Sequence, residues 1–278
     1  MNADTTVVEQ RDLAELRREI DSHPLWYHTI EVAPDVVTPG WFDLRPIVDG
    51  MPWPDVRGKR CLDVGTYDGF LAFELERRGA AEVVATDISD PSGWDWPLIT
   101  RERGTEAVTD AAGGKTGMGF EIARRALGSS VERVETSVYD LDPLDVGTFD
   151  VVVCGSLLLH LRDPIRALEA IRGVCDGVFL SAETVQIGLT LLRRRTPVAE
   201  LKGDRNCQWW IPNVAGHRRM ISAGGFRIEE ASRPYAIPFG PGHPASERPL
   251  ERLRQRTLTK LVTGRVGVPH SAVVARPA

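Results

Sequence analysis

The 278-residue sequence predicts an α/β fold: a doubly wound, mostly parallel sheet of seven strands whose last strand runs antiparallel. Three observations predict this fold. From Arg60 onward, short apolar runs alternate with segments of helical periodicity. The run FDVVVCGS is continuously apolar, as expected of a parallel strand buried on both faces. The last two strand-like runs, GFRIEEAS and HSAVVARP, have no ordinary helical crossover between them, which favours an antiparallel final strand.

An N-terminal extension precedes this alternation. Residues 8–22 have helical spacing, because Leu13, Leu16 and Ile20 recur at intervals of three and four. The next stretch, PLWYHTIEVAPDVVTPGWFDLRP, is rich in aromatic residues and proline. We therefore expect a helical and aromatic extension over residues 1–58, in which the irregular aromatic part packs on a larger body.

The strands of the main domain, residues 59–278, follow in order along the chain. CLDV predicts the first strand, AEVVATDIS the second and VERVETSVYD the third. FDVVVCGS predicts the fourth, and GVFLSAET the fifth. The sixth and seventh strands are the final pair.

Helices are predicted between these strands. One runs from about residue 69 to 79, and another covers 118–127, where Gly128 provides the stop. Asp163 and Pro164 have the residue types of an N-cap and first helical position. Asn213 is predicted to cap a further helix that ends at Ala223. Three insertions, at 90–117, 185–212 and 233–269, interrupt the pattern.

Composition and charge limit the setting of the protein. No apolar run approaches the roughly 20 residues of a membrane span. The acidic N-terminus lacks the pattern of a signal peptide, and the four cysteines form no C-x-x-C pair. We therefore predict free buried thiols, a cytoplasmic location and no membrane partner. The net charge of −5 gives no general support for nucleic-acid binding.

The carboxyl ends of the predicted strands bring four short segments to one rim, where doubly wound sheets bind ligands. These are the loop 65–69, Asp87, the pair Ser137-Val138 and the pair Gly155-Ser156. In the first loop, CLDVGTYDGF has the spacing D-x-G-x-x-x-G. Asp87 follows Gly65 by 22 residues and is placed to accept bonds from two ribose hydroxyls. The missing middle glycine argues against a dinucleotide pyrophosphate.

This spacing, with Asp87 and the final strand pair, resembles the class I S-adenosylmethionine-dependent methyltransferases, which have a Rossmann-like fold. The resemblance covers roughly residues 60–278 and implies S-adenosylmethionine as the cofactor. It implies that the methionine end and sulfonium are surrounded by the glycine loop, that Asp87 binds the ribose, and that the segments after the other strands contact adenine or methionine. The cofactor residues implied in this way are Asp63, Gly65, Thr66, Tyr67, Gly69, Asp87, Ile88, Ser137, Val138, Gly155 and Ser156.

The segments WYHTIEV, TPGWFDL, GSLLLHLRDP and WWIPN are similar to the group related to tRNA wobble-uridine carboxymethyltransferases, which use carboxy-S-adenosylmethionine. In the tRNA enzymes a lysine lies in a tryptophan-rich segment before the first strand. The matching stretch 40–45 has no lysine, although its Arg45 could pair with a carboxylate. We therefore predict ordinary S-adenosylmethionine and a small-molecule acceptor. Transfer to tRNA, and a cofactor-binding protein without transfer activity, are the alternatives.

The acceptor chemistry is expected to be O-methylation. No Asp/Asn-Pro-Pro-Tyr or Pro-Cys follows the fourth strand, which disfavours amide-type nitrogen and cytosine carbon acceptors. His160 and Glu183 lie near strand ends on the rim and are the candidate bases, while His217 is expected to pack. The extension and insertions are expected to cover the active site and contact the substrate through Tyr27, His28, Trp41, Trp209, Trp210 and Asn213. Trp94 and Trp96 belong to the same predicted roof. No residue pair has metal-ligand spacing, and the oligomeric state is left open.

Overall fold

The computed structural model describes residues 3–112, 114–203, 207–244 and 249–278. Residues 113, 204–206 and 245–248, which fall in the three predicted insertions, lie outside the described residues, as do the first two residues of the predicted extension. The described chain forms one large mixed sheet with helices on both faces and two small two-stranded sheets.

Twelve strands are present in the described residues. They are β1 (Glu31–Ala33), β2 (Val36–Val37), β3 (Arg60–Val64), β4 (Glu82–Asp87), β5 (Glu132–Glu135), β6 (Phe149–Gly155), β7 (Cys175–Thr184), β8 (Ala199–Leu201), β9 (Trp210–Pro212), β10 (Phe226–Ala231), β11 (Tyr235–Ile237) and β12 (Val268–Pro277). The main sheet has the order β10-β12-β7-β6-β3-β4-β5, and β12 is antiparallel to its neighbours. The predicted doubly wound sheet and antiparallel last strand are confirmed.

The sheet has eight strands rather than the predicted seven, because β11 also pairs with β12. The reason is the length of β12. Its C-terminal half pairs with β10, where Phe226 lies opposite Pro277, and its first residues remain to pair with Tyr235–Ile237. The predicted seventh strand began at His270, two residues after the observed start at Val268.

Ten helices accompany the strands in the described residues. They are α1 (Ala3–Ser22), α2 (Phe70–Arg77), α3 (Leu98–Arg101), α4 (Thr105–Ala112), α5 (Met118–Leu127), α6 (Pro143–Val146), α7 (Pro164–Val174), α8 (Ile187–Leu192), α9 (Val214–Ala223) and α10 (Pro249–Thr263). The predicted caps are confirmed: the Asp163 side chain accepts from the N–H of Arg166 at the start of α7, and Asn213 caps α9. The sequence analysis missed α3, α4, α8 and α10, which lie in the insertions, and the short α6 that precedes β6.

Two apolar layers enclose the main sheet. Alternate residues of β3 face opposite layers, since Cys61 packs with α2, α5 and the N-terminal segment, whereas Leu62 packs with α7 and the start of β10. All four cysteines are free and buried, as predicted. The described part of the chain contains no helix with the length and hydropathy that a membrane span needs.

The strand order reverses beside β3. From β3 the sheet continues to β4 and β5 on one side, whereas the later strands β6 and β7 add on the other side. Ligands of doubly wound folds bind beyond the carboxyl ends of the strands at such a reversal. The loops that follow Val64 and Cys154 therefore meet at the position where a ligand is expected.

Candidate active site

The loop after β3 has an unusual backbone. Gly65, Tyr67 and Gly69 all have positive φ angles, of 75°, 51° and 91°. Glycine reaches this left-handed region freely, whereas a residue with a side chain does so at a cost of about 1–2 kcal/mol. Tyr67 occupies the position of the missing middle glycine. Its strained conformation is held by a hydrogen bond of 2.6 Å from its N–H to the Asp87 carboxylate.

Asp87 ends β4 and joins the glycine loop to the next turn. One of its carboxylate oxygens accepts the N–H of Tyr67, and the other accepts the N–H of Ile88 at 2.7 Å. Burial raises the pKa of Asp87, and these two backbone donors oppose that rise. Each carboxylate oxygen can accept more than one hydrogen bond, so Asp87 retains capacity for two ligand hydroxyls.

A cleft with an empty volume of about 1260 Å³ opens at these loops. It is lined by most of the residues that the sequence analysis predicted to contact the cofactor or the acceptor. Those that line it are Tyr27, His28, Trp41, Gly65, Tyr67, Asp87, Ile88, Ser137, Val138, Gly155, Ser156 and His160. The structure thus gathers residues from the N-terminal extension and from the ends of β3, β4, β5 and β6.

The insertion after β4 forms one wall of the cleft. Trp94 and Trp96 are stacked with ring centroids 5.9 Å apart, and both line the cleft near Ile88. The Trp94 indole N–H donates to the Ile88 carbonyl at 3.4 Å. This wall and Val138 provide flat apolar surfaces on the Asp87 side, which suit an aromatic base next to a ribose.

His160 lines the cleft, as predicted, and belongs to this wall. Its Nδ1 lies 2.7 Å from the carbonyl oxygen of Cys207, which packs with Trp96. Because a carbonyl can only accept, Nδ1 carries the proton and Nε2 of the neutral ring is an acceptor. Burial lowers the pKa of His160, and so the ring is neutral at pH 7.

Three predicted cofactor residues do not line the cleft. Asp63 and Thr66 are buried behind the glycine loop, and Gly69 is the N-cap of α2. Both carboxylate oxygens of Asp63 lack a hydrogen-bond partner, and burial raises its pKa to about 7. These residues shape the loop from behind instead of presenting side chains to a ligand.

Three of the predicted substrate residues do not line the cleft either. Trp209 donates to the Asp95 carbonyl at 2.6 Å, and Trp210 donates to the Arg162 carbonyl at 3.1 Å, so both indoles fasten the insertion before α9 to the body. Neither lines the cleft. Asn213 is fully buried, and its amide bonds within the chain to Gly216, Arg193 and Thr196. Its capping role leaves it no access to a substrate.

Glu183 also lies outside the cleft. Its neighbours on β7, Ala182 and Thr184, face a smaller cavity, and therefore Glu183 faces the opposite side of the sheet. There one carboxylate oxygen accepts the N–H groups of Leu157 and Leu158, each at 3.2 Å. Burial raises the pKa of Glu183 to about 8. The acid thus supports the loop that carries His160, and it is not placed to contact an acceptor.

The smaller cavity, called here the inner cavity, adjoins the cleft and has an empty volume of about 480 Å³. It shares Tyr27, His28, Gly155 and Ser156 with the cleft. Sequence reasoning missed its other polar residues, Thr184, Tyr235 and His270. Their positions follow from the pairing of β11 with β12 and of β12 with β7, which local patterns do not encode.

Sequence reasoning also missed Asp68, although an acid inside a glycine loop is a visible signal. Asp68 is buried, and one of its oxygens accepts the backbone N–H groups of Tyr27 and His28. The ring of Tyr27 lies 5.3 Å from that of Tyr67. The glycine loop therefore anchors the aromatic segment that contributes Tyr27, His28 and Trp41 to the cleft.

The side chains of the cleft fit S-adenosylmethionine. Asp87 offers a carboxylate for the ribose, and the apolar wall near Ile88 suits adenine. The other end of the cleft is rich in aromatic rings, among them Tyr27, Trp41 and Tyr67, which favour a cationic sulfonium. None of the described residues that line the cleft is lysine or arginine, so no side chain repels that cation.

Residues 43–227 match a family model described as a methyltransferase domain. The match covers more than half of the chain. The protein belongs to this methyltransferase family. Its fold is that of the class I S-adenosylmethionine-dependent methyltransferases, as the D-x-G-x-x-x-G loop and Asp87 predicted.

Curated relatives of this methyltransferase have two different acceptors. The ubiquinone biosynthesis O-methyltransferase of Hahella chejuensis is 30% identical over 168 residues, which cover 59% of this chain and 58% of the relative. The tRNA U34 carboxymethyltransferase of Dichelobacter nodosus is 28% identical over 179 residues, 64% of this chain and 48% of the relative. The methyltransferase thus spans about half the length of the curated relatives it matches.

Solved structures share the fold of the methyltransferase. The N-terminal domain of EvdMO1, determined in the presence of S-adenosylhomocysteine and D-fucose, has a TM-score of 0.52 at 15% identity, covering 96% of this chain and 97% of that chain. The 1,6-didemethyltoxoflavin-N1-methyltransferase of Burkholderia thailandensis has a TM-score of 0.50 at 15% identity, covering 84% and 78%. At this identity the two structures show the fold alone.

Proposed function

We propose that this methyltransferase transfers the methyl group of S-adenosylmethionine to a hydroxyl of an uncharged small molecule. The observation that carries the proposal is the charge of the site. Among the described residues that line the cleft and the inner cavity, none is lysine or arginine, whereas Asp87 and Asp95 line the cleft. Such a site favours a cationic cofactor and disfavours an anionic acceptor.

The same observation argues against a carboxylated cofactor. A buried carboxylate needs a cation or several donors to replace its hydration. Arg45, which the sequence analysis considered for this role, bonds instead to the carboxylate of Asp43 at 2.8 Å and lines neither cavity. The acidic cleft and the net charge of −5 also disfavour the phosphates of tRNA, which therefore remains the weaker alternative.

The residues at the site support the handling of a hydroxyl acceptor. When bound, S-adenosylmethionine supplies a methyl group on a positively charged sulfur, so the protein must orient the acceptor and accommodate one proton. His160 presents an unprotonated Nε2 because its Nδ1–H is held by Cys207. A neutral acceptor nitrogen of this kind is what general-base catalysis requires. The O-methyltransferase relatives support the same acceptor chemistry.

We further propose that residues 1–58 cover the active site, with Tyr27, His28 and Trp41 contacting the substrate. The support is that all three line the cleft and that the segment is tied to the glycine loop through Asp68. A cover of this kind would exclude water from the reacting groups. The segment is held internally by the buried Thr38, whose hydroxyl accepts the N–H of Ile30 at 2.8 Å and donates to the His28 carbonyl at 2.7 Å.

The proposal is tested in two steps. Native mass spectrometry of the purified protein should show S-adenosylmethionine or S-adenosylhomocysteine, and not the species heavier by one carboxylate. Purified enzyme is then incubated with methyl-labelled cofactor and with neutral phenols and alcohols, their carboxylate analogues, or a tRNA transcript. Labelled ether from a neutral acceptor supports the proposal. Transfer only to tRNA would refute it, and tight cofactor binding with no transfer to any panel member would favour a binding protein.

A further inference from the structure

Two residues that line the inner cavity each carry a buried polar side-chain atom without a hydrogen-bond partner in the described residues. The Tyr235 hydroxyl and the Nδ1 of His28 both lack a hydrogen-bond partner. His28 is only 9% exposed, and its Nδ1 lies 3.8 Å from the Asp68 carboxylate, beyond hydrogen-bond distance. Buried polar groups are nearly always satisfied, so two unsatisfied groups on residues that line one cavity point to a polar ligand at this place.

Ser156 and His270 add a fixed hydrogen-bonding pair to the same cavity. The Nδ1 of His270 lies 2.9 Å from the Val268 carbonyl and so carries the ring proton, which makes Nε2 an acceptor. The Ser156 hydroxyl lies 2.7 Å from Nε2 and the Thr184 hydroxyl lies 3.1 Å from it, and both donate to this nitrogen. The Ser156 oxygen can therefore accept a hydrogen bond from a ligand hydroxyl. The backbone of Ser156 has a positive φ of 55°, so the residue that places this hydroxyl in the cavity lies in a strained turn.

The walls of the inner cavity are apolar and aromatic. Phe42, Leu44 and Met51 line it together with Tyr27 and Tyr235. Every polar group among the named lining residues is neutral, since burial lowers the pKa of His28 to about 3 and that of His270 to about 4. Such a site can take a neutral oxygen attached to an apolar body, but it offers no counter-charge for a carboxylate or phosphate.

We propose that the inner cavity binds the non-reacting end of the acceptor, namely a neutral hydroxyl on a flat apolar ring, while the reacting hydroxyl remains in the cleft. This inference rests on the proposed hydroxyl methylation. The continuity of the two cavities at Tyr27, His28, Gly155 and Ser156 allows one molecule to occupy both. The donor–acceptor set of Tyr235 and Ser156 then selects a second neutral oxygen on the substrate.

A matched series of three phenols tests the inference by binding alone. The three phenols differ only in the group para to the ring hydroxyl. This group is a methyl in 4-methylphenol, a neutral hydroxymethyl in 4-hydroxybenzyl alcohol and an anionic carboxylate in 4-hydroxybenzoate. Affinities are measured by calorimetry on the full chain with S-adenosylhomocysteine present. The alcohol should bind about 3- to 10-fold more tightly than 4-methylphenol, the ratio expected for one or two added hydrogen bonds, and the benzoate should bind most weakly.

Tyr235→Phe should abolish the preference for the alcohol and leave the affinity for 4-methylphenol unchanged. Because the hydroxyl it removes is unpartnered in the free protein, the variant should be as stable as the parent. Tyr139→Phe removes the same hydroxyl group from a residue that lines the cleft, and this variant should keep the preference for the alcohol. Ser156→Ala should reduce the preference as Tyr235→Phe does.

Three outcomes would overturn the inference: equal binding of the alcohol and 4-methylphenol, tightest binding of the benzoate, or a preference that survives in Tyr235→Phe. These outcomes are separate from those that decide the reaction. Methylation of neutral phenols without any effect of Tyr235 would refute the subsite and keep the proposed function. A Tyr235-dependent preference in an enzyme that methylates none of the panel would keep the subsite and refute O-methylation of these compounds.

Discussion

The carboxylate of Asp68 accepts the backbone N–H of His28 at 2.8 Å, and the same oxygen accepts that of Tyr27 at 2.6 Å. This contact joins the glycine loop, which is expected to hold the cofactor, to the segment that is expected to cover the acceptor. Residues 40 positions apart in the chain thereby form one wall of the cleft. One side-chain oxygen thus couples the two halves of the site, together with the ring contact between Tyr27 and Tyr67.

Asp68→Ala should release the aromatic segment. The substitution leaves two buried N–H donors unpaired, at about 1–3 kcal/mol each, so unfolding free energy should fall by roughly 2 kcal/mol or more. Hydrogen exchange of residues 25–42 should increase. Asp68→Asn is the matched control, because its amide oxygen can replace the one oxygen that both donors use. Equal exchange in the two variants would show that Asp68 does not anchor the segment.

Asp87→Ala should weaken the binding of S-adenosylmethionine by at least about 10-fold, since charge-assisted hydrogen bonds contribute about 1.5–3 kcal/mol each. The measurement is calorimetry, and circular dichroism checks that the fold survives. Glu135→Gln provides the control. Glu135 lies beside Asp87 in the register of the adjacent strand β5, but it does not line the cleft. Unchanged affinity in Asp87→Ala would refute its assignment to the ribose.

Gly69→Ala should destabilise the protein more than Gly58→Ala. Both glycines have positive φ, so each substitution carries a backbone cost of about 1–2 kcal/mol. At Gly69, however, the new methyl would lie 2.5 Å from Phe73 and 2.7 Å from Phe120, whereas it meets nothing within 4 Å at Gly58. Overpacking should add about 1–3 kcal/mol at Gly69. Urea midpoints that are lowered equally would contradict this account.

Stability should fall as pH rises from 6.5 to about 8. Burial raises the pKa of Glu183 to about 8 and that of Asp68 to about 7, so the folded protein keeps protons that the unfolded chain has released. Below pH 6.5 the buried histidines, including His217 and His270, have the opposite effect. Burial lowers their pKa values, so the unfolded chain binds protons there that the folded protein does not, and stability rises with pH. Glu183→Gln should make the fall with pH shallower in urea titrations. Glu106→Gln, an exposed acid of α4, should not alter it.

His160 is tested as a base by its pH profile. The base must be neutral, so kcat should rise with pH through an apparent pKa below 6.5, because burial lowers the pKa of His160. His160→Ala should reduce kcat by about 10²–10⁴-fold, and His160→Gln should not restore it, because an amide cannot take the proton. If His160→Gln recovers most of the rate, His160 is not the base, and its ring only positions the cleft wall through its hydrogen bond to Cys207. His270→Gln, measured in parallel, shows which histidine determines the profile.

Local patterns in the sequence were sufficient for seven strands of the main sheet and for the residues expected at the cofactor. The D-x-G-x-x-x-G loop, Asp87 and the ends of the central strands could be placed because each depends on residues close together in the chain, and parallel strands bring their carboxyl ends to one rim. The caps Asp163 and Asn213 were predictable for the same reason, since a cap depends on residues within one helical turn.

Only the tertiary structure decided the acceptor side. Ser156 and His270 are 114 residues apart and meet because β12 lies antiparallel beside β7, a register that no local periodicity specifies. Glu183 lies on the opposite face of the sheet, where it meets the N–H groups of Leu157 and Leu158, and the Trp209 indole bonds to the Asp95 carbonyl away from the cleft. A strand's pattern fixes which residues share a face, but its partners fix what that face meets. For this reason the residues expected at the cofactor could be predicted along the chain, whereas the cavity proposed for the acceptor required the fold.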